Sequence, residues 1–419
     1  MHYFAYKRNY LCCEEVPVRE IIKKFGTPLY IYSAKTILAH FYKIQRAFSS
    51  IHPLICYSVK ANSNLSLLKL LVKKGAGLDI VSGGELYRAK KVKCPSKRVV
   101  YASVGKTVSE IKDALSYGIL MFNTESPEEL RRINEIARST KRDVRCALRV
   151  NPDIEVHTHS YITTGTRETK FGMDIDTARD ILLHRKRYPY LKIVGIHLHI
   201  GSQITKASPY LKAIKKVRTL IKEVATRGIS LEYLNIGGGL GIVYDKEKPQ
   251  TARDFSLKIL PLLKEINLKV ILEPGRFIVG NAGILVTKVL YIKKSYRKQF
   301  IIVDAAMNDL MRPALYGAYH KIVPLQKGAS HARKMPLIRG VDIVGPICET
   351  GDFLGKARTI STREGEHLAI LGTGAYGFSM SSNYNSRPRP AEVLVKKNKI
   401  YLIRAREIYK ELVRKEIIV

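Results

Sequence analysis

A lysine, a histidine, a run of glycines and a carboxylate each lie at the end of an apolar run in this 419-residue sequence. Lys60 follows LICYSV, His199 lies in GIHLHIGSQ, Gly237–Gly239 follow LEYLNI, and Glu273 lies in LEPGR. A lysine that is partly removed from water can form a Schiff base with an aldehyde. The backbone N–H groups of a glycine loop can approach a phosphate closely. Taken alone, each residue also has an ordinary structural explanation, as a surface lysine, a core histidine or a tight turn.

Together, these groups match the requirements of one type of cofactor. A lysine binds its aldehyde, a glycine loop holds its phosphate, an imidazole stacks on its ring, and a carboxylate keeps the ring nitrogen protonated. The carboxylate is the most informative group, because a protonated ring is strongly electron-withdrawing and favours carbanion chemistry at the substrate Cα. Arg276 follows Glu273 closely and places a guanidinium near the same strand end.

Eight apolar runs must position these residues. Each run is followed by a polar loop and then by a helical pattern, and the runs span 54–59, 77–82, 98–103, 119–124, 145–150, 193–200, 231–236 and 269–274. The stretch SPEELRRINEIA between two of them begins with a capping-box pattern. Eight strand–helix units predict an α/β fold with a closed (β/α)8 TIM-like barrel, and an open doubly wound sheet is the alternative. Active sites of such barrels lie at the carboxyl ends of the strands.

The alternation of apolar runs with helical stretches ends after Arg276. The runs ILVTKVLYI, QFIIVDA, VDIVGPI, HLAILGT and KNKIYLIRA are separated by turns, which predicts a second, mostly β domain of sandwich or barrel-like form. The run LYIYS at 29–33 precedes the barrel rhythm and is expected to join that domain. We therefore predict an N-terminal segment at 1–30 that joins the β domain, a cofactor-binding barrel at 31–278 and the β domain at 279–419.

Composition narrows the class of protein. The chain is 46% hydrophobic, which is ample for a sizeable core. Early charges at the N-terminus and the lack of a long uncharged apolar stretch predict a cytoplasmic protein with no membrane partner. The six cysteines have no metal-finger spacing, so no metal site is predicted. The net charge of +36 permits non-specific binding of polyanions, but the basic residues are spread along the chain, and no specific nucleic-acid partner is expected.

As a set, the motifs resemble the fold-type III, barrel-type pyridoxal-phosphate decarboxylases, and most closely the branch that acts on diaminopimelate. The matching segments extend from residue 56 to residue 395 and are CYSVKAN, GIHLHIGSQI, LNIGGGLG, LEPGRF, MRPALYGAYH, GPICETGD and GAYGFSMSSNYNSRPRPAEVLV. The resemblance implies pyridoxal 5'-phosphate as cofactor, meso-2,6-diaminopimelate as substrate, and L-lysine and CO2 as products. The sequence departs from the family pattern at Ser58, where another small residue is usual, and at Thr350, where serine is usual.

The resemblance also implies a role for each site residue. Lys60 binds the cofactor aldehyde, His199 stacks on the ring, and Glu273 contacts the ring nitrogen. The phosphate is bound near Ser202, Gly237, Gly238, Gly239, Gly275, Arg276 and Tyr376. The substrate is bound by Arg276, Arg312, Tyr316, Glu349 and Tyr376, with Glu349 reading the distal amino group. Cys348 is the acid that protonates Cα after CO2 leaves. In this family Cys348 and Glu349 come from the neighbouring subunit, which implies a homodimer with shared active sites.

Three alternatives remain. A sister decarboxylase acting on ornithine, lysine, arginine or carboxynorspermidine would share the barrel and cofactor. MRPALY and CET favour diaminopimelate, because the first three of those substrates lack a distal carboxylate. Alanine racemase also shares barrel and cofactor, but HIGSQ argues against it. A non-catalytic homologue would be indicated by loss of Lys60 or Cys348, and both are present.

Overall fold

The structure, a computed structural model, describes residues 2–154, 169–327 and 336–419. It divides into two compact units. The barrel unit contains Phe41–Ile242 and Lys248–Phe277. The β unit contains Met1–His40, Val243–Glu247 and Ile278–Val419.

The chain begins with short strands and two helices. These elements are β1 (Phe4–Lys7), β2 (Tyr10–Cys13), β3 (Val16–Pro17), α1 (Val18–Phe25), β4 (Leu29–Ser33) and α2 (Ala34–Ala47). Strands β1, β2 and β3 pair as an antiparallel sheet. All five residues of β4 are buried, which identifies it as an interior strand.

Eight parallel strands then close into a barrel in which each strand pairs with its sequence neighbours and the last pairs with the first. The strands are β5 (Leu54–Ser58), β6 (Gly77–Ile80), β7 (Val99–Tyr101), β8 (Met121–Thr124), β9 (Val144–Val150), β10 (Leu191–Leu198), β11 (Tyr233–Asn235) and β12 (Lys269–Leu272). The helices that alternate with them are α3 (Leu65–Val72), α4 (Gly83–Lys91), α5 (Val108–Tyr117), α6 (Pro127–Ser139), α7 (Ile175–Leu183), α8 (Ser208–Thr226) and α9 (Ala252–Ile266).

The barrel follows from the sequence patterns. All eight predicted strands are present, with ends that differ from the predicted ones by a few residues, so the predicted fold class is confirmed and the open-sheet alternative is wrong. Helix α6 begins where the capping pattern predicts, because the Ser126 hydroxyl accepts the Glu129 N–H at 3.2 Å. Helix α5 has a complete capping box between Thr107 and Glu110.

The rest of the chain is mostly strand. Its elements are α10 (Arg276–Val279), β13 (Gly283–Ser295), β14 (Lys298–Val303), α11 (Arg312–Tyr316), β15 (Ile322–Pro324), β16 (Leu337–Val344), β17 (Phe353–Ser361), β18 (His367–Leu371), β19 (Ala391–Lys396), β20 (Lys399–Arg404) and α12 (Tyr409–Leu412). Seven strands of the large sheet have the order β17-β16-β14-β13-β4-β19-β20, and β18 pairs with β13 and β15. Strand β4 is antiparallel to β13 and parallel to β19.

No helix in the described part of the chain combines the length and the apolar character needed to cross a membrane.

Candidate active site

Lys60 lies in the single turn that follows β5, at the carboxyl end of that strand. Its Nζ atom is 3.6 Å from Oδ2 of Asp79, a side chain of β6 that is 1% exposed. The Ser58 hydroxyl donates a hydrogen bond to the same oxygen. Burial and the charge of Glu273 raise the pKa of Asp79 to about 6, against the opposing effect of the Lys60 ammonium. Near neutral pH, Asp79 is therefore a carboxylate that can take up a proton beside Lys60.

Glu273 follows β12 directly and is 4% exposed. Its Oε1 atom accepts hydrogen bonds from the amides of Asn123 at 3.1 Å and Asn235 at 2.6 Å, and its Oε2 atom is 3.1 Å from Nε2 of His197. Burial favours a raised pKa, but His197, Asn235 and the Lys60 charge together outweigh it and lower the pKa of Glu273 to about 2. Glu273 is thus ionised at neutral pH, as required of a carboxylate that pairs with a protonated ring nitrogen.

The two histidines of β10 and the turn after it have different surroundings. His197 is 1% exposed, and its Nδ1 atom has no hydrogen-bond partner among the residues that the structure describes. His199 is half-buried, and its Nδ1 atom lies 3.5 Å from the N–H of Gly238. Burial lowers the pKa of His199 well below its ordinary value, and the charges of Lys60 and Arg149 act in the same direction. His199 is therefore a neutral ring, which suits stacking on an aromatic cofactor.

The glycine run is required by the close approach of neighbouring backbone. A Cβ atom on Gly237 would lie 2.3 Å from the Leu198 carbonyl oxygen, and one on Gly238 would lie 2.1 Å from the carbonyl oxygen of Glu273. Gly239 has φ +100, in the region that favours glycine. The Oδ1 atom of Asn235 accepts the Gly237 N–H at 2.9 Å. Asn235 therefore links the shape of the loop to the position of the Glu273 carboxylate.

A second polar group lies beside the glycine run. Arg276 is 7% exposed, and its Nη2 atom donates to Oγ of Ser202 at 3.0 Å. The Ser202 loop is joined to the glycine run because the Ile204 N–H donates to the Gly239 carbonyl at 2.8 Å. A Cβ atom on Gly275 would lie 2.9 Å from Cβ of Ser58, so this glycine lets the two strand-end turns pack together.

These residues fit pyridoxal phosphate. An ionised, buried carboxylate, a neutral imidazole, a lysine at a strand end and a glycine run with an adjacent Ser–Arg pair all belong to the carboxyl end of one barrel. In the described residues there is no group of three or more His, Cys, Asp or Glu side chains that could hold a metal ion.

The other predicted site residues lie in the β unit. The Nη1 atom of Arg312 is 2.8 Å from Nε2 of His320, and its guanidinium lies over the Tyr244 ring, 4.5 Å from the centroid. Tyr316 ends helix α11, which Arg312 begins. Tyr376 has φ +56, an unusual backbone conformation for a residue with a side chain.

The loop that carries Cys348 and Glu349 is held by its own hydrogen bonds. Both residues are exposed. The Cys348 N–H donates to Oδ1 of Asn385 at 2.8 Å, and the Ile347 N–H donates to Oδ2 of Asp352 at 2.9 Å. The other Asp352 oxygen accepts the Met307 N–H at 2.7 Å. The thiol is therefore presented to solvent from a fixed backbone.

Four residues of the barrel site were not predicted as site residues: Asp79, Asn123, Asn235 and His197. Each is a polar residue inside one of the apolar runs, and each is at least 99% buried. A buried polar side chain in an otherwise apolar strand must find a partner, so this mismatch was a signal that the sequence contained.

Comparison with known proteins gives one consistent result. Residues 34–280 match the family described as pyridoxal-dependent decarboxylase, pyridoxal binding domain. A diaminopimelate decarboxylase of Aquifex aeolicus is 51% identical over 409 residues, which cover 97% of this chain and 96% of that protein.

Solved structures give the same picture. A diaminopimelate decarboxylase from Helicobacter pylori, complexed with L-lysine, is similar with a TM-score of 0.90 and 40% identity over 95% of this chain and 99% of that one. Another from M. jannaschii has a TM-score of 0.93 and 37% identity over 100% of this chain and 98% of that one.

Proposed function

The chain belongs to the pyridoxal-dependent decarboxylase family, and we propose that within it the protein decarboxylates meso-2,6-diaminopimelate to L-lysine and CO2, the last step of lysine biosynthesis. It is then a pyridoxal-phosphate-dependent carboxy-lyase. The observation that carries the proposal is the ionised state of the buried Glu273 carboxylate. It keeps its charge because three side chains donate hydrogen bonds to it. A permanently negative partner for the ring nitrogen is needed for carbanion chemistry and has no evident structural purpose in an apolar barrel.

The cofactor, when bound, supplies an electron sink for the charge that develops on Cα as CO2 departs. The chain supplies its binding groups. Lys60 binds the aldehyde, Glu273 binds the ring nitrogen, and His199 covers the ring with a neutral imidazole. The phosphate is held by Ser202, Gly237, Gly238, Gly239, Gly275 and Arg276, together with Tyr376.

Substrate selection is assigned to residues whose charges complement the far end of diaminopimelate, which carries an amine and a carboxylate. Arg276, Arg312 and Tyr316 bind the carboxylate, and two guanidiniums can each form a bidentate pair with it. Glu349 binds the distal amine, and Tyr376 completes the set. The L-lysine in the solved Helicobacter pylori complex is the molecule that this reaction would release.

Proton return to Cα is assigned to Cys348, with Cys348 and Glu349 acting from the partner subunit of a homodimer whose active sites are shared. Support for this role comes from the exposure of the Cys348 side chain and from the hydrogen bond that fixes its backbone on Asn385. The proposed location is the cytoplasm, since all six cysteines are free, as expected in a reducing compartment.

The sister decarboxylase is not favoured. Relatives that are 41–51% identical over nearly the full length are named diaminopimelate decarboxylases. Ornithine and arginine would also leave the Arg312 guanidinium without a carboxylate to bind, and an unpaired charge in a binding site weakens affinity strongly.

The decisive experiment measures CO2 release from meso-diaminopimelate by the cofactor-loaded protein, with L-lysine, L-ornithine and L-arginine as parallel substrates. We expect lysine formation from diaminopimelate alone and complete loss of activity in Lys60→Ala. CO2 release from ornithine or arginine instead would contradict the assignment of Arg312 and Glu349 while leaving the cofactor chemistry in place. The absorbance of the pyridoxal phosphate that Lys60→Ala retains shows whether this variant still binds the cofactor.

A further inference from the structure

A cavity lies at the amino-terminal end of the barrel, the end opposite to the proposed catalytic groups. It has a volume of about 270 Å3 and is lined by the starts of β8 and β9, the end of α5 and the turn before β7. Its polar lining side chains are Lys97, Arg142, Asp143 and Arg145. None of these residues belongs to the proposed catalytic machinery.

The charges around this cavity do not cancel. Asp143 is paired with Lys192 at 2.6 Å, and Arg145 is paired with Glu232 at 2.8 Å. Within the described chain, no carboxylate lies within ion-pair distance of Lys97, and none lies within that distance of Arg142. The cavity therefore has two cations in excess, and each ion pair at its edge is already neutral.

Hydrogen-bond donors are also left over at the cavity wall. Arg142 donates from Nη1 to the Leu115 carbonyl at 2.7 Å, which leaves the other N–H groups of a five-donor side chain. An oxyanion would satisfy these donors and neutralise the excess charge at the same time.

Barrel topology concentrates further positive charge at this end. Helix ends and strand starts meet there, and the loops between them include KK at 73–74, KCPSKR at 93–98, KR at 141–142 and RKR at 185–187. The turns at the other end of the first four strands, within 59–126, hold only Lys60, Lys106 and Glu125 as charged residues. These four basic loops therefore lie at one end of the barrel, and their field raises the local concentration of anions there.

We propose that this cavity is a second binding site, separate from the catalytic one, for a small phosphate-bearing anion. Two excess cations and leftover guanidinium donors favour a multivalent oxyanion over a monovalent one. The volume is just below the roughly 300 Å3 at which small-molecule pockets begin, so the ligand is the size of pyrophosphate or a small phosphate ester rather than a nucleotide. The site is independent of the proposed decarboxylation.

The test is calorimetric titration of the cofactor-saturated holoenzyme with pyrophosphate, with inorganic phosphate and with a short RNA oligonucleotide. Saturation with the cofactor matters because its own phosphate then fills the catalytic loop. We expect one pyrophosphate site per chain, weakened about tenfold or more in Lys97→Glu and in Arg142→Gln. Lys97 is exposed, so its reversal is not expected to disturb folding, and circular dichroism checks this.

The matched control is Lys293→Glu, which makes the same charge change at an exposed residue of β13. Pyrophosphate affinity is expected to be unchanged in Lys293→Glu, and the decarboxylation kcat is expected to be unchanged in all three variants. Equal weakening by Lys97→Glu and Lys293→Glu would overturn the proposal, because net charge alone would then explain the binding. Absence of binding by the unmodified protein, or binding of an RNA oligonucleotide but not of pyrophosphate, would also overturn it.

Discussion

The Nε2 atom of His197 lies 3.1 Å from the Oε2 atom of Glu273, and both side chains are almost completely buried. The imidazole is the donor for the one carboxylate oxygen that Asn123 and Asn235 do not contact. A carboxylate so far from water keeps its charge only while its oxygens are hydrogen-bonded or paired. His197 is therefore a positioning residue that maintains the charge of Glu273.

Replacing His197 by leucine removes this donor, so the pKa of Glu273 is expected to rise toward the value that burial favours. The acid limb of the pH profile of kcat/KM should move to higher pH, and cofactor affinity should fall about tenfold or more. His197→Gln, which retains a donor group, is the control and should remain nearer to the unmodified protein. Superimposable pH profiles for the leucine variant and the unmodified protein would show that Glu273 does not depend on His197.

Asp79 predicts a pH dependence of stability. Its folded pKa of about 6 is above the ordinary value of about 3.9, so between these values the native chain binds a proton that the unfolded chain does not. The stability contributed by the protonated form is present below about pH 4 and is lost as the pH rises through about 6. Urea unfolding of the cofactor-free protein, measured from pH 4 to pH 6, gives the free energy of unfolding at each pH. This free energy should decline less steeply with rising pH in Asp79→Asn than in the unmodified protein. Parallel declines for the two proteins would contradict the raised pKa.

Gly238 should not tolerate even a methyl group. A Cβ atom there meets the backbone carbonyl of Glu273 at 2.1 Å, and a carbonyl in a strand-end turn cannot move aside as a flexible side chain can. We expect Gly238→Ala to lower the free energy of unfolding by about 1–3 kcal/mol, as measured by thermal unfolding. The same variant should bind the cofactor more weakly, as measured by equilibrium dialysis. Gly84→Ala in helix α4 is the control, since its nearest atom is Oγ of Ser82 at 3.8 Å, and it should be neutral or stabilising by up to about 1 kcal/mol.

Cys348 is the exposed thiol among six cysteines, and the other five are buried. In the proposed homodimer Cys348 lines an active site that must admit substrate, so a thiol reagent should modify one cysteine rapidly in the native protein and none rapidly in Cys348→Ser. If Cys348 returns the proton to Cα, the serine variant should lose at least about a hundredfold in kcat with little change in KM. An unchanged kcat would remove Cys348 from the mechanism, even if the labelling result is as expected.

Sequence reasoning located the groups that terminate strands. Lys60 and Glu273 follow short apolar runs, and the glycines interrupt the pattern visibly, so their placement at the carboxyl end of a barrel follows from periodicity and topology alone. The alternation of apolar runs with helical patterns was also sufficient to predict a closed barrel of eight strands.

The supporting residues were harder to identify because their importance depends on convergence across the barrel. Asn123 and Glu273 are in contact although 150 positions separate them, and no local pattern pairs one with the other. Asn235 has two roles, as donor to Glu273 and as acceptor from Gly237, and neither is encoded by residue spacing. The basic loops at 73–74, 93–98, 141–142 and 185–187 were hard to group for the same reason, because only the topology shows that they share one end of the barrel.

The position of β4 between β13 and β19 has a consequence for how the chain is made. On the ribosome, β4 emerges early, yet its two hydrogen-bonding neighbours, at 283–295 and 391–396, follow only after the whole barrel sequence. The barrel strands can pair as soon as residue 272 is available, whereas this sheet must wait until residue 396 has been added. A nascent or prematurely terminated chain would therefore present an apolar strand with both edges open, which is a target for chaperones and a nucleus for aggregation.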